Sequence, residues 1–586
     1  MSSQRSRPDQ DGTSRPTPGW VILVVVAMAH LVVTLPALNP APHNGGDNAG
    51  YISLAHSLAG GDGYVEAWDP AERLHTKYPP FYPALLALAM LLGAKAWLTF
   101  KLISVLCVTT AVVLSFGWVK DRHGLGLATG VAGILALSPA LLWSSNWVLS
   151  DPLFLALTIG CLWAFHLAEA GQPPSTDSGG GVASAAHQRG GPSRAGIWMM
   201  AGCLMAILAT FTRTAGLPLV LAVVGALALR RRWKFSAGFA AAFAIPSLVW
   251  WVRSKSSGEA QYISEFWLID PYRPDLGTAG LFDLGRRVLE NLEGYVLTHL
   301  PAGLTTWSGM PLKLLGALLF GGAVIGWVRR VRDGTTVAEV FFPLYFGLIL
   351  LWPAVWSGDR FALPLYPLLL FYAGEALLAG AGRIHARAPV AVGLIAMALL
   401  MVPSARGWSD ATQRAAACRG AVQAVGPFAC YGEGFQQFVA AARWLGENAP
   451  DEANVFSRKP RIFYTLSGVR SRTYPLSPDP EGFFAAAREA RVSYVVLDRV
   501  DRLASSYVVP VLRARPDAFC GFVAVGAGEA TTQIFGILDV TARDDPENPG
   551  EGTGIAQCPA EMLRAEPRPL PPYTTSRLPL LVLPSP

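Results

Sequence analysis

Charged side chains are scarce in this sequence of 586 residues. Asp, Glu, Lys and Arg together make up 15% of the chain, whereas hydrophobic residues make up 52%. Soluble domains typically contain about 25% charged residues. So low a share argues against an ordinary soluble protein, and the composition predicts an α-helical polytopic membrane protein.

Several motifs that bind nucleotides or metals are missing as well. The sequence contains no P-loop, no HExxH, no CxxC and no GxSxG, and this argues against ATP-driven chemistry. Lys and Arg occur in short clusters between apolar runs, not along one face of a soluble domain. We therefore expect no nucleic-acid partner.

What the sequence does contain is a series of long apolar runs. A helix needs about 20 residues to cross a bilayer. One run, Phe81–Leu92, falls well short of that and begins just after "YPP". The runs are Trp20–Leu38, Phe81–Leu92, Leu98–Trp118, Leu125–Leu149, Leu153–Leu167, Gly196–Phe211, Leu217–Leu229, Phe235–Val252, Leu312–Val328, Val337–Trp356, Phe361–Leu378 and Pro389–Val402.

The basic clusters between these runs decide the predicted topology. They lie at residues 120–122, 230–234, 329–332 and 383–387. If Phe81–Leu92 lies in the membrane interface, all four clusters face the cytoplasm with the basic N-terminus, as the positive-inside rule prefers. The prediction is therefore about eleven spans plus juxtamembrane helices in the inner (plasma) membrane. The N-terminus is then cytoplasmic, and the first apolar run is retained as a helix.

This topology divides the chain into three parts. Residues 1–19 form a cytoplasmic tail, and residues 20–404 form a transmembrane catalytic domain. That domain has a first outer loop at 39–98, a flexible cytoplasmic linker at 171–194 and a long outer loop at 254–310. From residue 405 to 586, charges return and helical and strand patterns alternate. We expect a small extracytoplasmic α/β domain there, ending in a Pro-rich tail.

The seven cysteines fall into two groups. Three lie inside apolar runs, where a thiol behaves as a small hydrophobic group. The other four, Cys418, Cys430, Cys520 and Cys558, lie in the predicted outer domain, where an oxidising environment favours two disulfides. Cys418 and Cys430 are the nearest pair, but all three connectivities remain open.

Two acids beside the outer ends of apolar runs are candidate catalytic residues. Asp47 follows the first run in a glycine-rich stretch, "HNGGDNAGY", and Asp151 lies in "SNWVLSDPLF". Charges next to membrane segments are costly and are therefore often functional. The alternatives are a turn residue for Asp47 and a helix N-cap for Asp151.

Basic residues on the same side are candidate binding groups for a phosphate. Lys77 and Tyr78 precede the short run in "HTKYPPFYP", where the prolines stiffen the chain. Arg213 and Arg360 lie beside outer span ends, where the positive-inside rule disfavours them. Arginine offers a rigid fork of donors that suits phosphate, although Lys77 could be a snorkelling residue.

Taken in order, several of these motifs resemble those of the GT-C membrane glycosyltransferases. The order is an early outer-loop Asp, then "KYPPFYPALLAL", then "LALSPALLWSSNWVLSDPLFLALTIGCLWAF", then "TFTRTAGLPLVLA" and finally "DRFALPLYPLLLF". The resemblance covers residues 20 to 404. It is to the bacterial branch that is similar to protein O-mannosyltransferases and to the aminoarabinose transferase of lipid A.

The resemblance implies roles for individual residues. The catalytic acid of the first outer loop falls on Asp47 and the second acid on Asp151. The Lys-containing segment near the carrier phosphate falls on Lys77 and Tyr78, and the late arginine falls on Arg360. Where many relatives carry a Glu beside the Lys, this chain has Thr76 and His75. A divalent metal, if one is used, would therefore depend on the weaker candidates His75, Asp62 and Glu66.

The expected reaction follows from these assignments. A sugar would move from a polyprenyl-phosphate donor to an acceptor glycolipid, glycan or protein on the extracytoplasmic side of the membrane. Asp47 would act as the base in a single displacement that inverts the anomeric carbon. The alternatives are a secondary transporter, a lipid-linked glycan ligase or flippase without the Asp47 chemistry, and an inactive paralogue.

Overall fold

The protein is described here by a computed structural model, which covers residues 19–170, 194–255, 261–526, 531–538 and 556–566. The first 18 residues of the predicted cytoplasmic tail, nearly all of the predicted linker at 171–194 and the Pro-rich tail lie outside the described residues. Within them, helices dominate, and the strands are confined to the C-terminal part of the chain.

The first part of the chain is entirely helical apart from its connections. Its helices are α1 (Gly19–Thr34), α2 (Gly46–Gly60), α3 (Phe81–Leu91), α4 (Trp97–His123), α5 (Leu125–Ala136), α6 (Pro139–Ser145), α7 (Asp151–Ala170), α8 (Arg194–Thr212), α9 (Leu217–Leu229), α10 (Trp233–Lys255), α11 (Gln261–Trp267), α12 (Leu281–Gly294), α13 (Leu300–Ala302), α14 (Gly309–Asp333), α15 (Val337–Leu351), α16 (Asp359–Ala362), α17 (Tyr366–Gly382) and α18 (Ala388–Ala424).

The predicted multi-pass helical fold is confirmed. Seven helical segments of the described residues are long and apolar enough to cross a bilayer, and α5 with α6 forms a bent eighth candidate. The shorter apolar helices α1, α9 and α15 correspond to the three other predicted crossings, so the total of eleven stays a prediction. At 11 residues, α3 is about 16 Å long, too short to span.

The run Leu125–Leu149 is not the single straight span that its composition suggests. Helices α5 and α6 meet at an angle of 54°. Ser138 caps α6 by accepting a hydrogen bond from the Leu141 backbone NH, and Pro139 occupies the first turn, where proline is favoured but cannot continue a preceding helix. The Ser138 hydroxyl also donates to the Gly303 carbonyl at 2.6 Å, which holds the bend in place.

Asp47 is not in a glycine loop either. It lies in the first turn of α2, one residue after that helix begins. A carboxylate is stabilised there by the helix dipole. The glycine-rich stretch therefore starts a helix, and this fixes the direction in which the Asp47 side chain points.

A close helix crossing in the membrane part depends on one glycine. A Cβ atom at Gly326 of α14 would clash with the Tyr372 carbonyl oxygen of α17. We expect Gly326→Ala to lower the free energy of unfolding by about 1–3 kcal/mol, the usual cost of overpacking. Gly321→Ala is the matched control, because a Cβ there meets no atom within 4 Å. Equal melting temperatures of the two variants in detergent would contradict the prediction.

The C-terminal part forms the small domain that the sequence predicts. It contains α19 (Glu433–Asn448), β1 (Asn454–Phe456), α20 (Pro460–Ser467), β2 (Arg470–Arg472), α21 (Pro480–Glu489), β3 (Val492–Leu497), α22 (Leu503–Ala514), β4 (Phe519–Val525), β5 (Thr532–Ile537) and β6 (Ala556–Gln557). The sheet order is β2-β1-β3-β5-β4-β6. Strand β1 is parallel to β2 and β3, whereas β5 is antiparallel to β3 and β4.

Both faces of this sheet are covered by helices. Along β3, Tyr494 and Val496 pack with the helices α19 and α20. Val495 and Leu497 pack on the opposite face with α21 and α22. The alternation follows from the two-residue period of a strand. The result is a three-layer α/β domain.

Two disulfides lie in the part of the C-terminal region that the structure describes. They join Cys418 to Cys430 and Cys520 to Cys558. The first links the end of α18 to the start of the domain across 12 residues. We expect Cys418→Ser with Cys430→Ser to cost about 3 kcal/mol of stability. Thermal unfolding should show a lower midpoint than for Cys203→Ala, which removes an unpaired membrane cysteine. A midpoint equal to that of the control would refute the prediction.

The C-terminal domain packs directly on the part of the chain between α1 and α3, which the sequence predicts to be the first outer loop. The Ser471 backbone NH donates to the Trp68 carbonyl at 2.7 Å, and Arg472 makes a two-pronged ion pair with Asp69 at 2.8 and 3.0 Å. The Tyr431 hydroxyl donates to the Pro42 carbonyl. Helix α18 runs without interruption across the predicted domain boundary at 404/405.

Candidate active site

A cavity of about 1310 Å³ is lined by α2, α6, α15 and α16 and by the segment that precedes α3. Its wall is mainly aromatic and aliphatic, with charged groups gathered on one side. The lining includes Asp47, Tyr51, Lys77, Tyr78, Trp143, Arg213, Phe266, Trp267, Tyr272, His299, Leu348, Ile349, Trp352, Trp356, Asp359, Arg360 and Phe361. Apolar cavities with a few convergent polar groups are typical binding sites.

Asp47 is held by three side chains from different parts of the chain. The Tyr78 hydroxyl donates to Asp47 Oδ1 at 2.6 Å, and Arg360 Nη1 donates to Oδ2 at 2.8 Å. Arg461 Nη1 lies 3.5 Å from Oδ1. The Asp47 side chain is nonetheless 36% exposed, so one side of the carboxylate faces the cavity.

Asp151 is the second acid of the site. It opens α7, and its side chain is almost fully buried. Arg360 Nε donates to Asp151 Oδ2 at 3.0 Å, and Arg213 Nη1 pairs with Oδ1. The same Arg360 guanidinium therefore bridges Asp47 and Asp151. A lysine could not span both acids in this way, because it lacks the planar fork.

Lys77 and Tyr78 lie on the same wall but contact different partners. Lys77 Nζ is 2.9 and 2.7 Å from the two carboxylate oxygens of Glu265 and 5.6 Å from the centre of the Trp356 ring. Tyr78 contacts Asp47. Of the six predicted site residues, five line the cavity, and Asp151 lies behind Arg360 and Arg213.

The weaker candidates lie outside this cavity. The His75 ring is buried and its Nδ1 is 2.6 Å from Glu66 Oε1, while the Tyr78 backbone NH donates to its Nε2. Burial lowers the pKa of His75 to about 4, although Glu66 opposes the shift. The pair thus supports the backbone at Tyr78. Asp62 is exposed in the turn that follows α2.

The arrangement of the acids does not fit a divalent metal. Among the residues that the structure describes, no three His, Cys, Asp or Glu side chains come together as a ligand set. The decisive observation is positional: the Arg360 guanidinium fills the space between the Asp47 and Asp151 carboxylates. A cation placed there would have to displace a cation that is already hydrogen-bonded.

Two charged groups of the site are absent from the sequence prediction. Glu265 lies in α11, between α10 and α12, and Arg461 lies in α20 of the C-terminal domain. The signal for Arg461 was the basic stretch "SRKPR" just before an amphipathic segment on the outer side. Glu265 had no comparable signal, because single acids are common in polar loops.

The arginines control the protonation state of Asp47. Burial alone would raise the pKa of the carboxyl group, but the charges of Arg360 and Arg461 and the hydrogen bond from Tyr78 hold that pKa well below its usual range. Asp47 is therefore ionised across the physiological pH range. As long as both arginines remain, it is a weak base.

No family model matches this sequence, and no curated protein matches it by sequence. Solved structures do match the fold. The archaeal oligosaccharyltransferase AglB from Archaeoglobus fulgidus, in complex with an inhibitory peptide and a dolichol-phosphate, is 13% identical with a TM-score of 0.54. The match covers 86% of this chain and 72% of AglB. An AglB structure tethered to an acceptor peptide with the NVT sequon is 14% identical, again with a TM-score of 0.54, over 88% and 73% of the two chains.

The second similar protein is ArnT from Cupriavidus metallidurans in the apo state. It is 15% identical with a TM-score of 0.50, and the match covers 88% of this chain and 98% of ArnT. At these identities the likeness concerns the fold. This multi-pass chain, with its helical membrane part and its C-terminal α/β domain, has the same fold as AglB and ArnT.

Proposed function

We propose that this protein is a membrane glycosyltransferase that moves a sugar from a polyprenyl-phosphate donor to an acceptor on the extracytoplasmic side of the plasma membrane. The observation that carries the proposal is the Arg360 bridge between Asp47 and Asp151 at the wall of an aromatic cavity. It sets a carboxylate beside a fork of donors suited to phosphate. The GT-C-type fold supports the proposal, and AglB has been solved with a dolichol-phosphate.

The cavity offers separate surroundings for the two ends of such a donor. Trp143, Trp352 and Phe361 belong to the apolar wall, which suits a prenyl chain. Arg213, Arg360 and Lys77 lie on the charged side, where they would stabilise the phosphate as its charge grows during bond cleavage. Because the departing group is a phosphate, no general acid is required.

Asp47 would take the proton of the acceptor hydroxyl as that oxygen attacks the anomeric carbon. In the ligand-free protein it is a weak base, because Arg360 and Arg461 both stabilise its charge. A donor phosphate competes for Arg360. As Arg360 turns toward the phosphate, the pKa of Asp47 rises and the carboxylate becomes a stronger base. A single displacement of this kind inverts the anomeric centre.

The experiment that tests this function is a transfer assay with several donors. Native membranes containing the protein are supplied with radiolabelled polyprenyl-phosphate sugars, and both free lipid phosphate and labelled product are measured. Membranes without the protein are the control. Release of lipid phosphate together with labelled acceptor supports the proposal. Movement of intact donor across the membrane without cleavage would favour a flippase or transporter instead.

A further inference from the structure

One side chain of the C-terminal domain reaches into the candidate active site of the membrane domain. Arg461 is the second residue of α20 and crosses to α2. Its Nη1 hydrogen-bonds the Tyr78 hydroxyl and lies 3.5 Å from Asp47 Oδ1. The guanidinium carbon is 5.0 Å from the Tyr78 ring centre and 5.1 Å from that of Trp68. Both ring contacts are within cation–π range.

A glycine in α2 leaves the space through which the Arg461 side chain passes. A Cβ atom at Gly50 would lie 2.9 Å from Arg461 Cδ, so only glycine leaves room for the arginine at its present position. The Arg461 side chain is 17% exposed. Its charge is therefore held mostly away from bulk water, where it acts more strongly on Asp47.

The number of acids and arginines in this cluster suggests different roles for Arg461 and Arg360. Two acids, Asp47 and Asp151, share three arginines, and Arg360 contacts both acids. When Arg360 engages a phosphate, Asp151 keeps Arg213. The arginine that remains for Asp47 is Arg461.

We propose that Arg461 is a positioning residue, supplied by the C-terminal domain, that keeps Asp47 ionised and keeps the Tyr78–Asp47 hydrogen bond aligned while Arg360 binds the donor phosphate. The transfer site is then complete only when the C-terminal domain is docked on the first outer loop. The inference rests on the proposed transferase function. The titratable and charged groups that face Asp47 are Tyr51, Tyr78, Arg360, Lys459 and Arg461.

The test compares pH profiles of kcat for sugar transfer from a radiolabelled polyprenyl-phosphate sugar, because kcat reports the pKa of Asp47 in the donor-bound enzyme. In Arg461→Gln, the pKa of Asp47 rises, so activity should fall at a higher pH on the acid side than in the wild type. Above that pH, kcat should also fall, by about tenfold, because the Tyr78–Asp47 hydrogen bond loses its alignment, with little change in KM. Arg461→Lys keeps the charge and should restore the acid-side profile. Gly50→Ala keeps every charge but displaces Arg461, and should shift the profile in the same direction by less.

Arg472→Ala is the matched control, because it weakens the same domain contact through Asp69 without touching Asp47. Its acid-side profile should equal that of the wild type. An unshifted profile in Arg461→Gln, with active wild-type protein and an unchanged melting temperature, overturns the inference and leaves the proposed function intact. A shift of equal size in Arg472→Ala at an unchanged melting temperature also overturns it, since the effect would then not be specific to the arginine that contacts Asp47. Absence of transfer by the wild type with every donor overturns the proposed function and the inference together.

Discussion

Asp47→Asn is expected to lower sugar transfer by about 10²–10⁴-fold, the usual contribution of a general base. An amide has the same shape as the carboxylate and can still accept the hydrogen bond from Tyr78, but it cannot take a proton. KM for the donor should change little, because the arginines that we propose to bind the phosphate remain. The measurement is initial rate against donor concentration in membranes with equal amounts of inserted protein.

Asp62→Asn provides the control for this substitution. Asp62 belongs to the same outer loop but is exposed and does not line the cavity, so its loss should leave transfer unchanged. Full activity of Asp47→Asn would remove Asp47 from the proton transfer. A rise in KM at constant kcat would assign it to donor binding.

Arg360→Lys should reduce transfer by about 10²–10³-fold, as expected when a donor that stabilises developing charge is removed. The lysine retains the positive charge but cannot reach Asp47 and Asp151 at once, because it has a single nitrogen in place of Nε and Nη1. The lysine would also leave the buried Asp151 carboxylate without its hydrogen bond from position 360, so the melting temperature should fall as well.

Arg383→Lys is the matched control, because Arg383 directly follows α17, at the end of that helix remote from α16 and Arg360, and is exposed. It should leave both transfer and melting temperature unchanged. Arg360→Lys with wild-type kcat would mean that a point charge suffices at this position. The bridging geometry would then have no role in the reaction.

Much of the membrane part could be predicted from the sequence, because a segment that lies in lipid must be apolar and must satisfy its backbone hydrogen bonds within a helix. Each predicted apolar run is matched by a helix. The break at Ser138–Pro139 could also have been seen from its N-cap and proline signals, but the continuous apolar composition of Leu125–Leu149 hid it. Hydropathy reports length and polarity, whereas the bend depends on a local hydrogen bond to Gly303.

Those residues of the candidate site that carry a charge next to an apolar run could be predicted from the sequence. Asp47, Asp151, Arg213 and Arg360 are charges beside apolar runs, and the fold brings all four into one cluster. Arg461 lies 414 residues from Asp47 in the sequence. Its contact with Asp47 depends on how the two domains pack. Neither hydrophobic periodicity nor composition predicts that Arg461 and Asp47 lie close together in space.

The uninterrupted helix α18 has a mechanical consequence. Its 37 residues, with Pro403 among them, extend over about 55 Å and connect the membrane part to the C-terminal domain. Trp408 and Arg419, on the second half of the helix, donate hydrogen bonds to the Val33 and Pro36 carbonyls at the end of α1. The helix thus fastens the C-terminal domain, which carries Arg461, to the segment of chain that leads into α2 and Asp47.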